Sequence, residues 1–436
     1  MDCGVSTFHP TGETSKIAKA VTTQGIEQLF TNEFHGFRYI LSHLAFFVNG
    51  GFGETHGDSI YFFRGVLYYV DLGEVNMEKL IEKLETLTDT RRPWGNLRHK
   101  LVDIVFIGLV SVICGGTDFE HMEDTGYGKY DWFKKYLELP NGIPDSDTFR
   151  RMFERLDPKE MAKALQEVVE ATDTTVAIDG KTICGSGNSE HKAYHVVSAW
   201  VAEYQITLGQ LETSEKSNEI TAIPDLIDTL DIADSTVTID AMGCQKQIVE
   251  KIREKKADYV LGLKGNQASL YQDVKLYFES ELPQSTAHTL EKDHGRIEKR
   301  EYYLETNIDW LPQRGDWVDF GGIGMVQTSV TSMKTGEFTK ECRYFITSLT
   351  NVDQFAYAVR KHWSIESQLH WQLDVTFRED SSRARKDNSP LNLNVLRKHA
   401  LSLLNNADFG KRVSLRRKMS RAAMDNSALN RIFLKK

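Results

Sequence analysis

The stretch Val176-Ala-Ile-Asp-Gly-Lys181 decides the fold. A short β-branched and apolar run closes on an aspartate. The pattern recurs in Val237-Thr-Ile-Asp-Ala-Met-Gly-Cys-Gln245, where Asp240 closes a second run. A third acid, Glu366, lies in His362-Trp-Ser-Ile-Glu-Ser-Gln-Leu-His-Trp-Gln-Leu-Asp374, a stretch with helical patterning. A sheet that brings the two strand ends together, with a helix beside them, converges three carboxylates on one point. Such a set, with no Cys or His ligand cluster, suits Mg²⁺, a hard ion that takes oxygen ligands. Two such ions can clamp the attacking and leaving oxygens of a phosphodiester displacement.

Around these motifs, residues 174–264 alternate strands and helices. Candidate strands are Thr174–Asp179, His195–Val201, Gln205–Leu211, Ser235–Asp240 and Asp258–Leu263; candidate helices are Glu219–Leu230 and Gln245–Glu254. Three strands in a row, then helix–strand–helix–strand, predict a mixed sheet with helices on its faces. Strand-rich sequence over 296–349 (Arg300–Leu304, Trp317–Val330, Arg343–Ser348) predicts further sheet inserted before the last helix. Within 353–378, Ile365, Leu369, Leu373 and Phe377 form an apolar stripe, and Glu366, His370 and Asp374 a polar stripe one residue round. Pro390–Asn406 reads as one more helix.

Four regions follow. Residues 1–76 are rich in Gly, Phe and Tyr and lack clean periodicity. Residues 77–170 read as a helical domain, with Leu101–Cys114 a buried helix ended by Gly115-Gly116 and with Asp145, Ser146 or Asp147 capping the helix that carries Phe149 and Phe153. Residues 171–406 hold the sheet, with the insertion at about 281–349. Residues 407–436 read as a basic tail: from Lys411 to Lys436 there are nine basic residues and one acid, Asp425.

The net charge of −9 hides that asymmetry. Five scattered cysteines without a Cys-x-x-Cys pair argue against a zinc site or disulfide framework and fit a reducing cytoplasm. No run of 18 apolar residues occurs, so no membrane span is expected; no signal peptide is read at the start.

Several motifs in order now resemble one family. They are Leu139-Pro-Asn-Gly-Ile-Pro144 with Asp147-Thr-Phe149, Ala177-Ile-Asp-Gly-Lys181, Lys216-Ser-Asn-Glu-Ile220, Asp240-Ala-Met-Gly-Cys-Gln245, Leu263-Lys-Gly-Asn-Gln267, His294-Gly-Arg-Ile-Glu298, and His362-Trp-Ser-Ile-Glu366 with Leu369-His-Trp-Gln-Leu-Asp-Val375. From about Met77 to Asn406 the chain resembles bacterial insertion-sequence transposases of the H-repeat-associated group, in the Asp-Asp-Glu transposase superfamily. The resemblance implies an α/β, RNase H-like mixed sheet with helices on both faces, a strand-rich insertion before the last catalytic helix, and an N-terminal helical domain. It implies metal-dependent cleavage and strand transfer at the ends of a mobile element, with Asp179, Asp240 and Glu366 as catalytic and metal-binding residues. Mg²⁺ is the expected cofactor, with Mn²⁺ able to substitute. Expected partners are the element's terminal inverted repeats, target DNA, and further copies of the chain in a dimer or higher complex. Two departures stand out. Pro144-Asp-Ser-Asp-Thr-Phe149 replaces the usual Pro-Ser-His-Asp-Thr-Phe, and Val359, His362 and Leu373 stand where related transposases carry Tyr, Arg and Lys.

Other readings compete at single residues. Asp374, Glu379 and Asp380 rival Glu366 as the third acid. Lys181 orients a phosphate or is a solvated lysine after a turn. Asn218 and Glu219 suit helix capping. Lys264 and Arg296 are candidate DNA contacts, against backbone positioning and a charged strand face. His362 and His370 suit a structural role better than a catalytic one. Trp363 and Trp371 suit packing, with base stacking the alternative for both. Lys411, Arg412, Arg416, Arg417, Lys418 and Arg421 are candidate phosphate contacts, because phosphate neutralisation supplies sequence-independent affinity; a solvated tail is the alternative. An RNase H-like nuclease without strand transfer and a decayed DNA-binding relative share most of these features.

Overall fold

A computed structural model describes residues 59–63, 66–70, 77–91, 97–166, 173–189, 192–213, 219–281, 283, 286–293, 295–410 and 412–433. The chain divides into two compact units, Met1–Leu72 and Gly73–Lys436. Within the first, β1 (Ser59–Phe63) and β2 (Val66–Val70) pair antiparallel, from Ser59 opposite Val70 to Phe63 opposite Val66.

The second unit starts with helices α1 (Met77–Glu85), α2 (Leu101–Ile113), α3 (Phe119–Gly128), α4 (Tyr130–Phe133), α5 (Ser146–Arg155) and α6 (Pro158–Leu165). Every residue of α2 is buried, as its unbroken apolar run requires. Gly115, at φ +96, supplies the left-handed residue that ends it. Of the three candidate caps for α5, Asp145 takes the role, accepting from the Thr148 N–H at 2.7 Å.

A nine-stranded sheet follows, in the order β5-β4-β3-β6-β7-β11-β10-β9-β8. Its strands are β3 (Thr175–Thr182), β4 (His195–Val201), β5 (Ile206–Thr213), β6 (Thr236–Ile239), β7 (Asp258–Leu263), β8 (Thr286–Asp293), β9 (Arg296–Glu305), β10 (Gly322–Ser332) and β11 (Phe338–Thr347). The strands β3, β4 and β5 run antiparallel in turn, and β6 and β7 continue parallel to β3. This is the RNase H-like order. The insertion joins the same sheet, since β11 pairs antiparallel with β7. Trp317 lies before β10 rather than in it, and β8 is a strand that the periodicity did not show.

Helices α7 (Glu219–Asp228), α8 (Lys246–Glu254) and α9 (Ala268–Ser280) connect these strands; α10 (Val352–His362), α11 (Ser389–Asn406), α12 (Leu415–Met424) and α13 (Asn426–Phe433) follow the sheet. Both faces of the sheet are covered. Glu219 of α7 lies against Gly180, whereas Ala177 on the other face packs with Ile365, Leu369 and Leu373; alternation along β3 puts residues 177 and 180 on opposite sides.

Residues 353–378 are largely helical, but the winding changes along them. After α10 the backbone rewinds into π-helical turns over Ile365–His370 and Gln372–Thr376. The apolar stripe repeats every four residues, longer than the 3.6 of an α-turn. Four lies between the α-turn and the wider i→i+5 turn, so a mixture of the two windings holds the stripe on one side, and all four of its members are buried.

The last segment is folded too. Met419, Ala422, Ala428, Leu429, Ile432 and Phe433 bury in the core that also holds α2 and α11. Phe433 packs against Phe106 and Trp132, whose indole N–H donates to Asn430 Oδ1 at 2.9 Å. Charge density in the sequence masks two short amphipathic helices.

Candidate active site

The site is built where β6 ends beside β3, which does not close at Asp179 as its sequence suggests but runs on, paired with β4, to Thr182. The strands β3 and β6 are parallel neighbours whose last register pair is Ile178 opposite Ile239. Asp179 and Asp240 therefore follow side by side, on strands roughly 4.8 Å apart. Asp240 ends its strand by capping the turn after it, accepting from the Met242 N–H at 2.9 Å. That turn lies over β7: a Cβ on Gly262 would sit 2.9 Å from the Ala241 nitrogen, which explains the glycine inside Tyr259-Val-Leu-Gly-Leu263.

Two motifs hold the turn in place. Asn266 donates to the Ala241 carbonyl at 2.7 Å and Gln267 to that of Cys244 at 3.0 Å. Thus Leu263-Lys-Gly-Asn-Gln267 acts as a clamp on Asp240-Ala-Met-Gly-Cys-Gln245, and Lys264 is left exposed beside it. On the far face of β3, the Thr182 hydroxyl donates to His195 Nδ1 at 2.9 Å, and His195 Nε2–H donates to Glu219 at 2.5 Å. A Cβ on Gly180 would meet both His195 and Glu219 at 2.5 Å. Glu219 is therefore a buried brace behind the aspartate, a role that helix capping does not describe.

From the opposite side, the π-wound segment presents Glu366 and His370. His370 Nδ1 lies 3.4 Å from Glu366 Oε2 and 3.8 Å from Asp179 Oδ2. One ligand atom from each of Asp179, Glu366 and His370 fits within 4.8 Å of the others. Burial pushes the Asp179 carboxyl up to about 6; the imidazole of His370 and the Gly180 N–H oppose that rise, and the carboxylates of Glu366 and Asp240 add to it. Hydrogen bonding to His370 holds Glu366 below the usual range. His362 lies within hydrogen-bond distance of the Thr238 hydroxyl, at 3.0 Å, and burial depresses its pKa against the pull of Asp240 and Glu366.

Of the rival third acids, Asp374 and Glu379 face Lys181 instead. Its amine lies 2.7 Å from Asp374 and 3.2 Å from Glu379, with the side chain 10% exposed. His370 was the residue the pattern under-weighted, although it shares the polar stripe with Glu366.

The other sequence candidates scatter. Arg296 is exposed at the start of β9. The register Leu263–Tyr344 and Thr331–Phe338 carries that hairpin some six residues past the end of β7, about 20 Å. Arg300 is buried, paired with Glu291 and Glu298, and Trp363 packs between Arg300 and Arg343. Trp371 is 52% exposed. In α12 and just before it, Arg412, Arg416 and Arg417 are exposed, and Arg416 donates to the Val375 carbonyl at 3.0 Å beside the π-wound segment. Lys418 instead caps α11, donating to the carbonyls of Leu404 and Ala407 at 2.6 and 2.9 Å. Arg421 stacks over Phe409. Lys411 lies outside the described residues.

Asp179 within β3, Asp240 just past β6 and the helical Glu366 thus gather on an RNase H-like sheet. The chain belongs to the family described as Transposase DDE domain, which matches residues 170–403; the family described as DDE_Tnp_1-associated matches residues 81–169. It is 38% identical over 348 residues to "Putative transposase YncI" of Escherichia coli O157:H7, covering 76% of this chain and 88% of that one. It is 34% identical over 360 residues to "H repeat-associated putative transposase YhhI" of Escherichia coli (strain K12), covering 79% and 95%. A third relative, "Uncharacterized protein in dhlA 3'region" of Xanthobacter autotrophicus, is 40% identical over 277 residues, covering 61% and 93%.

Proposed function

We propose that this chain is a DNA transposase that cuts and joins strands at the ends of its own insertion element with the help of Mg²⁺, for which Mn²⁺ substitutes. The observation that carries this reading is the convergence of Asp179, Glu366 and His370 beside Asp240. The donor set fits in its carboxylates: Asp179, Asp240 and Glu366 offer the hard oxygen ligands that suit Mg²⁺ and Mn²⁺, with the His370 imidazole a nitrogen beside them. Burial, with a smaller push from the Glu366 and Asp240 carboxylates, raises Asp179, and a bound cation would offset both. Asp179, Asp240 and Glu366 would hold the ions, with His370 contributing a nitrogen. When bound, the ions would activate a water or the DNA's own 3′-OH as nucleophile and stabilise the leaving oxygen.

The chain's own groups position and neutralise, as in other in-line phosphoryl displacements. The Asn266 and Gln267 clamp holds Asp240 at its strand end, and the Glu219–His195 brace fixes β3 behind Asp179. The exposed cations Lys264, Arg296, Arg412, Arg416 and Arg417 would track phosphates of the element ends and target DNA, with Lys411 as a further candidate. Two ends must be joined, so a homodimer or higher complex on DNA is the expected working form, in the cytoplasm.

The test is cleavage of a DNA duplex carrying the element end, with Mg²⁺ or Mn²⁺ supplied. Asp179→Asn and Asp240→Asn should abolish cleavage and strand joining while gel-shift affinity persists. Cleavage by either variant at the wild-type rate sinks the reading. Cleavage without joining by the intact chain would make it a nuclease.

A further inference from the structure

Asp179 and Lys181 sit two residues apart on one face of β3; His370 and Asp374 sit four apart on the facing stripe of the π-wound segment. A strand advances roughly 6.6 Å over two residues. The side-chain distances place the two elements against each other in two rungs. In the first, Asp179 faces His370 and Glu366. In the second, the Lys181 ammonium lies 2.7 Å from Asp374 and 3.2 Å from Glu379.

The second rung is anchored from behind. Glu379 is fully buried. Its other oxygen accepts from Asn394 at 2.9 Å and pairs with Arg397 at 3.4 Å, both on α11. The turn that carries it is tightly specified. Arg378 adopts a left-handed φ of +55, and the carbonyls of Glu379, Asp380 and Ser382 crowd so closely on Gly185 that a Cβ there would meet all three within 2.9 Å. Arg385 donates to the Gly185 carbonyl at 2.9 Å from the same stretch. Glu379 thereby joins β3, the turn after the π-wound segment, and α11.

Apolar burial is non-directional. The stripe of Ile365, Leu369, Leu373 and Phe377 holds the segment against the core but leaves its slide and rotation weakly defined. A buried charge pair has one good geometry, and setting register is its best-attested use. We infer that Lys181, Asp374 and Glu379 form a register clamp that holds Glu366 and His370 opposite Asp179, and that Lys181 is a positioning residue rather than a phosphate contact. The inference rests on the reading of Asp179 and Glu366 as the metal-holding pair.

The experiment measures Mn²⁺ binding by the full chain, through the loss of the free-ion electron paramagnetic resonance signal, alongside cleavage and DNA affinity at several salt concentrations. In Lys181→Met, Mn²⁺ affinity should fall about 10–100-fold, the range seen for groups that orient metal ligands. The cleavage turnover should fall with it, while DNA affinity and its salt slope stay at wild-type values. Lys181→Arg, which keeps the charge, should recover most of both. Asp374→Asn keeps the buried Glu379–Arg397 pair intact and should weaken Mn²⁺ binding in the same direction, so a misfolded Lys181→Met still leaves a decisive variant. Wild-type Mn²⁺ affinity in a folded Lys181→Met or in Asp374→Asn overturns the clamp. So does a Lys181→Met variant whose DNA salt slope drops by about one with Mn²⁺ affinity intact, which would make Lys181 a phosphate contact. Failure of the underlying reading looks different: Asp179→Asn would then bind Mn²⁺ as the wild type does.

Discussion

Two aspartates in this protein have carboxyls pushed up to about 6 by burial, and they lie in opposite surroundings. Asp179 stands within β3, with Glu366, His370 and Asp240 converging on it from other elements. Asp103 lies in the middle of α2, where every other residue of the helix is also buried and most are apolar. Perturbed acids mark functional sites only statistically. The difference here lies in the neighbours. Around Asp179 the groups come from β3, β6 and the π-wound segment and leave a position for a ligand. Around Asp103 there is packing, with the nearest charges, Lys100, Glu138 and Lys134, acting only at a distance.

The largest expected effect is on the Asp179 side of this comparison. Asp179→Asn should lower strand cleavage by at least about 10³-fold, roughly 4 kcal/mol of barrier, with thermal stability equal to or above the wild type. Asp103→Asn should leave cleavage within a few-fold. Equal losses in the two variants, measured on one DNA substrate, would erase the distinction.

Next comes the apolar region that holds Asp103. Phe433→Ala opens a cavity among Phe106, Trp132 and Phe133 and should cost roughly 3–5 kcal/mol in urea unfolding. Wild-type stability in that variant would return residues 412–433 to the status of a solvated tail.

Asp103→Asn itself should stabilise by about 1–3 kcal/mol at pH 8. The sign follows from linkage. The folded chain holds the Asp103 proton more tightly than the unfolded chain, so stability falls as pH rises from 3.8 through about 6. The gain should therefore be full above pH 6 and vanish below pH 4. A gain independent of pH would place its origin outside Asp103 ionisation.

A smaller effect tests the cations near the π-wound segment. Replacing Arg412, Arg416 and Arg417 together by Gln should weaken binding of all DNA sequences about equally and flatten the logarithmic salt slope by about 2–3. Loss of sequence preference instead would move end recognition onto α12. Smallest of all, a chain beginning at Met77 should fold and cleave as the full chain does, within about twofold, since family similarity begins near there. Loss of folding or cleavage would make residues 1–76 an integral domain.

Local chemistry in the sequence was enough to single out the acids that the fold brings together. A β-branched run that reaches an aspartate marks a strand, so Asp179 and Asp240 were legible, although β3 runs on to Thr182; the parallel pairing of β3 with β6, up to Ile178 opposite Ile239, set them side by side. Glu366 was legible from its motif and stripe. His370 shares that stripe, and its four-residue spacing from Glu366 was a usable signal. Other assignments depended on partners far along the chain. Whether Lys181 meets solvent, a phosphate or a carboxylate depends on a turn some 200 residues later, because a charge takes its role from whatever folding brings within a few ångströms. Glu219 became a brace for the same reason. The C-terminal helices show the remaining limit. Met419, Leu429, Ile432 and Phe433 carry helical spacing in the sequence, but hydrophobic burial has no direction of its own. Only the assembled surface of α2, α4 and α11 offered those side chains a place to leave water, and so only the tertiary structure turned a basic tail into part of the core.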